Sequence, residues 1–356
     1  MLQFEYKARQ LNFKLESRTS RGTMKTRDTW LIKIFHKKNP ETFGLGEVAP
    51  IGGLSSEDTS LIEDVLYKLS SNIKGCTPPS SKEDCLALAT ELCPPGYSSV
   101  LFGVEVALLD LFHSGKRKIF ENGFILGNSA IPINGLIWMG SAENMKVQVH
   151  EKLSKGFKCL KMKVGALDFH KELEVIEYVR SLAPDIVLRL DANGAFANNE
   201  VLSKIKSLSE YNIHSIEQPI LPRQPEALQL ICRKSPIPIA LDEELIGVDD
   251  YKEKEKLIEF AQPQYLVLKP SLHGGLRSCR QWIDLANRHH IEWWVTSALE
   301  SNIGLNAICQ FTAQFSNLGF QGLGTGQLYH NNIDSPLAIK DGLIYWNRNT
   351  SWGRAL

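Results

Sequence analysis

Short apolar segments alternate with helical patterns through the second half of the chain, and this alternation restricts the possible folds more than any other feature of the sequence. The residue types of each segment are typical of a β-strand buried on both faces. From about residue 131 onward there are eight such segments, at 133–140, 157–164, 186–193, 213–219, 237–244, 264–271, 291–298 and 317–324. The stretches between them have helical patterns, as at 169–183 and 275–290. Eight consecutive strand–helix units are the number that a closed parallel (β/α) barrel requires.

An open, doubly wound sheet is the alternative arrangement for alternating strands and helices. Such sheets usually contain fewer strands and have a glycine-rich turn after the first one. No turn of that kind follows the first segment, at 133–140. We therefore favour the barrel.

The first third of the chain has a different organisation, with strands followed by helices. Residues 2–16 and 29–36 have strand patterns, and the polar residues 17–28 between them are predicted to form a connection. Helices are predicted at 55–71, where the first turn is acidic, and at 99–115, which ends at a glycine. This order of elements indicates an α+β unit.

The change of pattern predicts two domains. An α+β unit is expected in the first third of the chain, and a (β/α) barrel from about residue 131 onward. The alternation stops after residue 326. Residues 327–356 are therefore expected to fold back onto the N-terminal unit.

Composition and charge argue against several functions. Lys plus Arg and Asp plus Glu number 40 each, so the chain has no basic field for nucleic acid or an anionic membrane surface. No segment approaches the roughly 18 apolar residues of a membrane span, and no signal peptide is apparent. The seven cysteines include no C-x-x-C pair, which favours reduced thiols. We expect a cytoplasmic enzyme that acts on a small molecule.

Charged residues recur at the ends of five successive predicted strands. They are Lys163, Asp191, Glu217, Asp242 and Lys269, separated by 28, 26, 25 and 27 residues. The step is the length of one strand–helix unit. Since the carboxyl ends of barrel strands open onto the face where barrel active sites lie, the five side chains should converge there. Around the ring their order would be one lysine, three carboxylates and a second lysine.

Three neighbouring carboxylates repel one another unless a cation neutralises them. Asp191, Glu217 and Asp242 offer only oxygen ligands, which favours Mg²⁺ first and Mn²⁺ second and disfavours zinc. An ion at this position could polarise a substrate carboxylate and stabilise the charge of an enolate. A lysine beside such an ion could act as a base near neutral pH, because the cation lowers its pKa.

For any single residue of this set, a solvated charge at a strand end is the simpler interpretation. Five charges at one repeat spacing favour a catalytic site instead, since a purely structural barrel has no need of them. Asn193 follows Asp191 closely and is a candidate for contact with the substrate, with a supporting or structural role as the alternative. The same alternative applies to Glu243.

The motifs KMK, DANG, IEQP, LDEEL and LKP, at these spacings, resemble the muconate-lactonizing subgroup of the enolase superfamily. The resemblance covers nearly the whole chain. It implies an α+β capping domain at 1–125, completed by residues 327–356, and a modified (β/α) barrel at 126–326 that carries the catalytic site. It implies that Lys163 removes an α-proton and that Lys269 is the opposing lysine. Asp191, Glu217 and Asp242 match the metal ligands. Lys161 resembles an accessory lysine near the substrate carboxylate.

Within that subgroup, the segments at 46–58, 296–310 and 322–337 resemble the o-succinylbenzoate synthases of menaquinone biosynthesis. The resemblance implies dehydration of 2-succinyl-6-hydroxy-2,4-cyclohexadiene-1-carboxylate, with Lys163 serving as both base and acid. It also implies a substrate-facing region around the SALES sequence, from which the predicted contacts are Ser297, Glu300 and Ser301. Gly324 is a further candidate, because a glycine permits close approach of the backbone to a carboxylate.

Three other functions stay open. Dipeptide epimerases of the subgroup have an Asp-x-Asp at the eighth strand, where this chain has GLGTGQ at 322–327, so that activity is disfavoured. An N-acylamino acid racemase would use the same two lysines. A barrel that only binds or acts as a scaffold is the third alternative. Residues 19–27, which include two arginines, could form a lid over a dianionic substrate or an ordinary surface loop.

Overall fold

The N-terminal part of the molecule is an antiparallel sheet covered by helices. The computed structural model describes residues 1–19 and 22–355, with side chains described outside residues 15–23. The sheet has the order β1-β2-β3. Its strands and helices are β1 (Leu2–Thr19), β2 (Gly22–His36), β3 (Asn39–Val48), α1 (Ile62–Asn72), α2 (Lys82–Leu92) and α3 (Ser98–Phe112).

The prediction of a polar connection over residues 17–28 is wrong, because strands occupy most of that segment. β1 continues to Thr19 and β2 begins at Gly22, with cross-strand pairs such as Arg18 with Thr23. Pairing in a two-stranded ribbon uses backbone hydrogen bonds, so polar residues can extend it beyond the apolar core. Residues 20 and 21, which belong to the predicted lid, lie outside the described part of the chain.

β3 lies directly on the backbone of α3, and two glycines make this possible. A Cβ at Gly44 would lie 1.8 Å from the carbonyl oxygen of Ala107, and one at Gly46 would lie 2.0 Å from that of Gly103. Neither position can accept a side chain without separating the strand from the helix. The contact holds the C-terminal end of β3 in place.

The second part of the molecule is built on a parallel sheet that curls into a barrel. After β4 (Ala130–Pro132), its seven strands run in sequence order, each paired with the next. They are β5 (Gly135–Ile137), β6 (Cys159–Lys163), β7 (Val187–Asp191), β8 (Ser215–Glu217), β9 (Ile239–Leu241), β10 (Tyr265–Leu268) and β11 (Glu292–Val295). The helices that follow β5 to β11 are α4 (Ala142–Ser154), α5 (Phe169–Leu182), α6 (Val201–Leu208), α7 (Pro225–Lys234), α8 (Tyr251–Ala261), α9 (Gly275–Arg288) and α10 (Asn302–Thr312).

The eighth strand predicted at 317–324 does not form as a regular strand. Two of its residues nevertheless close the ring, since Gln321 bridges to Ile133 and Gly322 bridges to Thr296, both in parallel orientation. Three glycines in 319–324 explain the loss of regular structure, because glycine weakens a strand interior. The barrel is therefore closed by two bridges between β11 and the start of β5.

The C-terminal tail contacts both parts of the molecule. Its strands β12 (Leu337–Lys340) and β13 (Leu343–Trp346) form a separate sheet with β4. The residues before them meet β1, where the His330 amide donates to the Asn12 carbonyl at 2.9 Å. Only part of the tail therefore folds onto the N-terminal sheet. The domain limits 1–125 and 126–326 stay a prediction.

The described residues include seven free cysteines, and six of them are buried. No helix in the described part of the chain has the length and apolar character needed to cross a membrane.

We expect Gly44→Ala to destabilise the protein by roughly 2–3 kcal/mol, because the new Cβ would overlap backbone atoms of α3 and force the strand and the helix apart. The midpoint of thermal unfolding, followed by circular dichroism, measures the change. Gly319→Ala is the matched control, since a Cβ there meets nothing within 4 Å. Equal midpoints for the two variants would contradict the tight packing of β3 on α3.

Candidate active site

The five charged strand ends converge at one mouth of the barrel. Lys163 on β6 pairs in register with Asp191 on β7, and Asp191 pairs with Glu217 on β8. Asp242 follows β9 directly, and Lys269 follows β10. The structure therefore brings together all five side chains that the spacing singled out.

Ion pairs connect the five side chains into one cluster. The Lys163 ammonium lies 2.6 Å from Asp191 Oδ2, and the Lys269 ammonium contacts Asp242 Oδ2. Between these two pairs, the Lys161 ammonium lies 2.6 Å from Glu217 Oε2 and 2.8 Å from Asp191 Oδ2. Lys163 and Lys269 thus occupy opposite ends of the row of carboxylates.

Burial and charge act against each other at the carboxylates. Asp191, Glu217 and Asp242 are at most 1% exposed. Burial, reinforced by the neighbouring Asp191, holds the pKa of Glu217 well above its usual range. Burial opposes ionisation of Asp191 too, but the ammonium groups of Lys161 and Lys163 prevail and lower its pKa. Without a further cation, the middle carboxylate of the row is the one that resists ionisation.

A divalent cation fits this set of donors. All three side chains offer carboxylate oxygens, the ligand type that Mg²⁺ prefers, and they come from three adjacent strands. Asp242 Oδ1 is buried and has no hydrogen-bond partner among the described residues. A buried oxygen of this kind is costly unless something satisfies it. Asp191, Glu217 and Asp242 are therefore the residues that could hold the ion.

Asn193 contacts Lys163, at one end of the row of carboxylates. Its Oδ1 accepts a hydrogen bond from the Lys163 ammonium at 2.6 Å, and its Nδ2 donates to Glu243 Oε1 at 2.9 Å. The residue has a left-handed backbone, with φ of 45°, which asparagine tolerates better than most residues. Asn193 also lines the cavity above the cluster, so both its predicted contact with substrate and a supporting role are compatible with its position.

A cavity of about 290 Å³ lies over the cluster. Lys161, Lys163 and Lys269 line its charged side. Apolar side chains form much of the remainder, including Ile51 and Leu54, which precede α1. No Asp or Glu is present among the described residues that line it. The cavity therefore suits an anionic molecule with an apolar body.

The four contacts predicted after β11 divide into two groups. Ser297 and Gly324 line the cavity, and the Ser297 hydroxyl shares a hydrogen bond with that of Thr325. Glu300 and Ser301 are buried and do not belong to the cavity lining. Their polar atoms contact other protein groups instead, since Glu300 accepts from the Ala298 amide at 2.8 Å and Ser301 donates to Glu47.

The contacts of two buried residues near the site were not identified from the sequence. Arg27, one of the two arginines of the possible lid at 19–27, lies on β2, is buried and donates to the carbonyl oxygens of Ala49 and Ala298. Glu47 is buried against the start of α10. The one signal in the sequence was the S-x-x-G pattern at 301–304, which marks the start of a helix. It does not indicate that Glu47, 254 residues away, accepts a hydrogen bond from that helix start.

Comparisons with known proteins identify the family. Residues 144–350 match the family model described as Enolase C-terminal domain-like. The o-succinylbenzoate synthase of Desulfotalea psychrophila is 38% identical, and the match covers 96% of this chain and 98% of that protein. An N-succinyl-L-Arg/Lys racemase of Bacillus cereus is 28% identical over 60% of this chain and 57% of that protein.

Solved structures agree with the barrel and its cap. The crystal structure of MenC from Desulfotalea psychrophila has a TM-score of 0.87 and 36% sequence identity, covering 97% of this chain and 99% of that one. The L-Ala-D/L-Glu epimerase from Bacillus subtilis shares the fold, with a TM-score of 0.83 at 19% identity. The predicted fold class is confirmed, and this chain belongs to the enolase superfamily.

Proposed function

We propose that this protein converts 2-succinyl-6-hydroxy-2,4-cyclohexadiene-1-carboxylate to 2-succinylbenzoate, the reaction of the o-succinylbenzoate synthases. The observation that carries the proposal is the position of Lys163 and Lys269 at opposite ends of three buried carboxylates. The match to the Desulfotalea psychrophila enzyme over 96% of the chain supports this substrate over others.

Lys163 performs the proton transfers. In its neutral form, the Nζ atom takes the proton from the ring carbon that bears the carboxylate, and the electrons of that C–H bond form a new double bond. The C–O bond to the ring hydroxyl breaks, and the Lys163 ammonium returns the proton to the departing oxygen, so that water leaves. No oxidant is required, because aromatisation accompanies the loss of water. Asn193 and Asp191, within hydrogen-bond distance of Nζ, orient the amine.

Asp191, Glu217 and Asp242 would hold Mg²⁺, with Mn²⁺ as a substitute. When bound, the ion supplies a Lewis acid that neutralises the substrate carboxylate and stabilises the negative charge that develops as the α-proton leaves. Lys161 adds a further positive charge beside Glu217.

Lys269 lies across the cluster from Lys163 and also lines the cavity. Its ammonium can face the ring of the substrate, where a cation–π contact stabilises the forming aromatic product. The apolar lining from Ile51, Leu54 and Leu272 excludes water from the same ring.

We expect Lys163→Ala to lower kcat by about 10³-fold or more, because the variant lacks the group that moves the proton. Ultraviolet absorbance follows the conversion of the diene to the aromatic acid. Lys158→Ala is the matched control, since Lys158 precedes β6 and is exposed. A folded Lys163→Ala variant with wild-type turnover would refute this role of Lys163.

Chelation of divalent ions should abolish turnover, and added Mg²⁺ should restore it. Glu217→Gln removes the charge of the middle ligand with little change in size, so we expect Mg²⁺ affinity to fall by more than about tenfold in isothermal titration calorimetry, since losing even an outer contact of a metal site has a cost of this order. The control is Asp185→Asn, in the exposed turn before β7. Unchanged Mg²⁺ binding by Glu217→Gln would show that the ion, if any, binds elsewhere.

Racemisation of N-succinyl amino acids is a second candidate function. The two lysines at opposite ends of the carboxylate row favour it, because racemisation needs an acid and a base on opposite faces of one carbon. The Bacillus cereus relative is named for such a reaction. An unmodified dipeptide is disfavoured, since no described cavity residue offers a carboxylate to its ammonium group.

Incubation with N-succinyl-L-arginine or N-succinyl-L-lysine in D₂O distinguishes the two functions. NMR follows the exchange of the α-proton for deuterium. If dehydration is the main activity, we expect the kcat/KM of this exchange to be at least about 100-fold below the kcat/KM for dehydration of the diene. That ratio corresponds to a difference of roughly 3 kcal/mol in transition-state stabilisation. Faster exchange than dehydration would make the racemase the principal activity.

A further inference from the structure

One wall of the cavity is a short segment that leaves β11 and leads into α10. We call this segment, residues 296–301, the cavity wall. Four of its residues, from Thr296 to Leu299, line the cavity. Leu299 has a φ of 65°, a left-handed conformation that is unfavourable for a leucine. Such a conformation persists only where surrounding contacts hold it.

Two side chains from outside the barrel strands hold the carbonyl groups of the cavity wall. Arg27 on β2 donates to the carbonyl oxygen of Ala298 and, at the same time, to that of Ala49. The Tyr329 hydroxyl, from the C-terminal tail, donates to the carbonyl oxygen of Leu299 at 2.5 Å. Arg27 and Tyr329 are both buried, and neither lines the cavity.

Glu47 on β3 holds the other end of the cavity wall. Its carboxylate accepts hydrogen bonds from the Ser301 amide at 2.9 Å, the Ser301 hydroxyl at 2.7 Å and the Gly304 amide at 2.9 Å. These donors lie at the N-terminus of α10, where a negative charge is favourable. Glu47 is completely buried and does not line the cavity.

Glu300 connects the cavity wall to the catalytic side of the site. Besides the Ala298 amide, it accepts a hydrogen bond from the hydroxyl of Ser271. Ser271 lies two residues after Lys269, in the turn that leads to α9. The shape of the cavity wall and the turn after Lys269 are thereby connected through one buried carboxylate.

We propose that Arg27, Glu47 and Tyr329 are positioning residues, which hold the cavity wall in the conformation that binds the substrate without contacting the substrate themselves. The inference rests on the proposed function. It assigns part of the substrate affinity of the barrel site to side chains from the N-terminal sheet and the tail. Glu300 and Ser301 were predicted from the sequence to contact the substrate. In this proposal they instead help to hold the cavity wall, through the contacts with the Ala298 amide and with Glu47.

Loss of this support should weaken substrate binding more than it slows the proton transfer. The Lys163 ammonium is held by Asp191 and Asn193, and the Lys269 ammonium by Asp242, so neither ammonium group depends directly on Tyr329 or Glu47. Without the contacts to its backbone, the cavity wall can leave the strained conformation at Leu299. The free enzyme then populates shapes that must be reordered when substrate binds.

Tyr329→Phe is the sharpest test, because it removes one buried hydroxyl and keeps the ring, which packs against Phe13. We expect KM for the diene to rise roughly fivefold, the effect of one lost hydrogen bond, with kcat changed less than about twofold. Tyr211→Phe is the matched control. Its hydroxyl donates to Glu177 on α5, on the outside of the barrel, and its loss should leave both constants unchanged.

Glu47→Gln tests the other end of the cavity wall. The new side chain keeps one acceptor oxygen, but its NH2 group cannot accept from the donors that face it, and the negative charge is lost, so we expect a rise in KM of about tenfold or more. Asp110→Asn is the control, since Asp110 is equally buried on α3 and accepts from the Leu45 amide without contacting the cavity wall. The same rise in KM for Asp110→Asn would mean that any buried carboxylate of the N-terminal part has this effect, and would overturn the proposal.

Hydrogen–deuterium exchange of peptides that contain residues 298–304 gives a measurement that needs no substrate. We expect faster exchange in Tyr329→Phe and Glu47→Gln than in the wild-type protein and in the two controls. Wild-type protein that does not convert the diene would refute the proposed function, while the exchange experiment would still test the support of the cavity wall. Exchange and KM that are both unchanged in Tyr329→Phe and Glu47→Gln would overturn the inference.

Discussion

The buried row of Asp191, Glu217 and Asp242 is the constraint on which the rest of the structure depends. Three carboxylates at most 1% exposed would repel one another strongly, and three lysine ammonium groups lie among them. A closed barrel is a scaffold that can place such a set, because each strand contributes one side chain at the same height. The chemistry of the site follows from this balance. In the proposed function, a divalent ion and a carboxylate substrate would enter together without leaving a large unbalanced charge in a buried place.

Buried carboxylates also connect the N-terminal part to the barrel, by a different interaction. Glu47 accepts hydrogen bonds from the start of α10, and Glu105 on α3 accepts from the Leu276 and Arg277 amides at the start of α9. Burial raises the pKa of Glu105 to about 8, although both amides favour its charged form. In each case the first backbone N–H groups of a barrel helix have no acceptor within the helix, and a carboxylate from the N-terminal part accepts their hydrogen bonds. The two helices follow the strands that lead to Lys269 and to the cavity wall.

The sequence predicted the barrel and the five charged side chains because both are local, repeating features. A strand is recognised from its own residues, and the spacing from Lys163 to Lys269 requires no knowledge of tertiary contacts. The prediction was wrong where backbone pairing decides the structure, as in the ribbon that extends β1 to Thr19 and in the two bridges that replace an eighth strand. It also did not identify Glu47, and it placed Arg27 in a possible lid without indicating its contacts. The partners of these two residues in and next to the cavity wall lie more than 250 residues away in sequence, and an isolated polar residue does not indicate which distant amide or carbonyl it will meet.

The barrel strands and the elements outside them contribute differently to the site. Lys163, to which we assign the proton transfers, and Lys269 form ion pairs with carboxylates of the barrel, and no residue of the N-terminal sheet or the tail takes part in those pairs. The backbone of the cavity wall is held both from within the barrel, as where the Ala298 amide donates to Glu300, and from outside it. The contacts from outside come from Arg27, Glu47 and Tyr329, which belong to elements outside the barrel strands. Changes in those elements can therefore alter the shape of the cavity while the lysines and carboxylates stay in place. Selection for a new substrate then need not disturb the electrostatic balance that enolate chemistry requires.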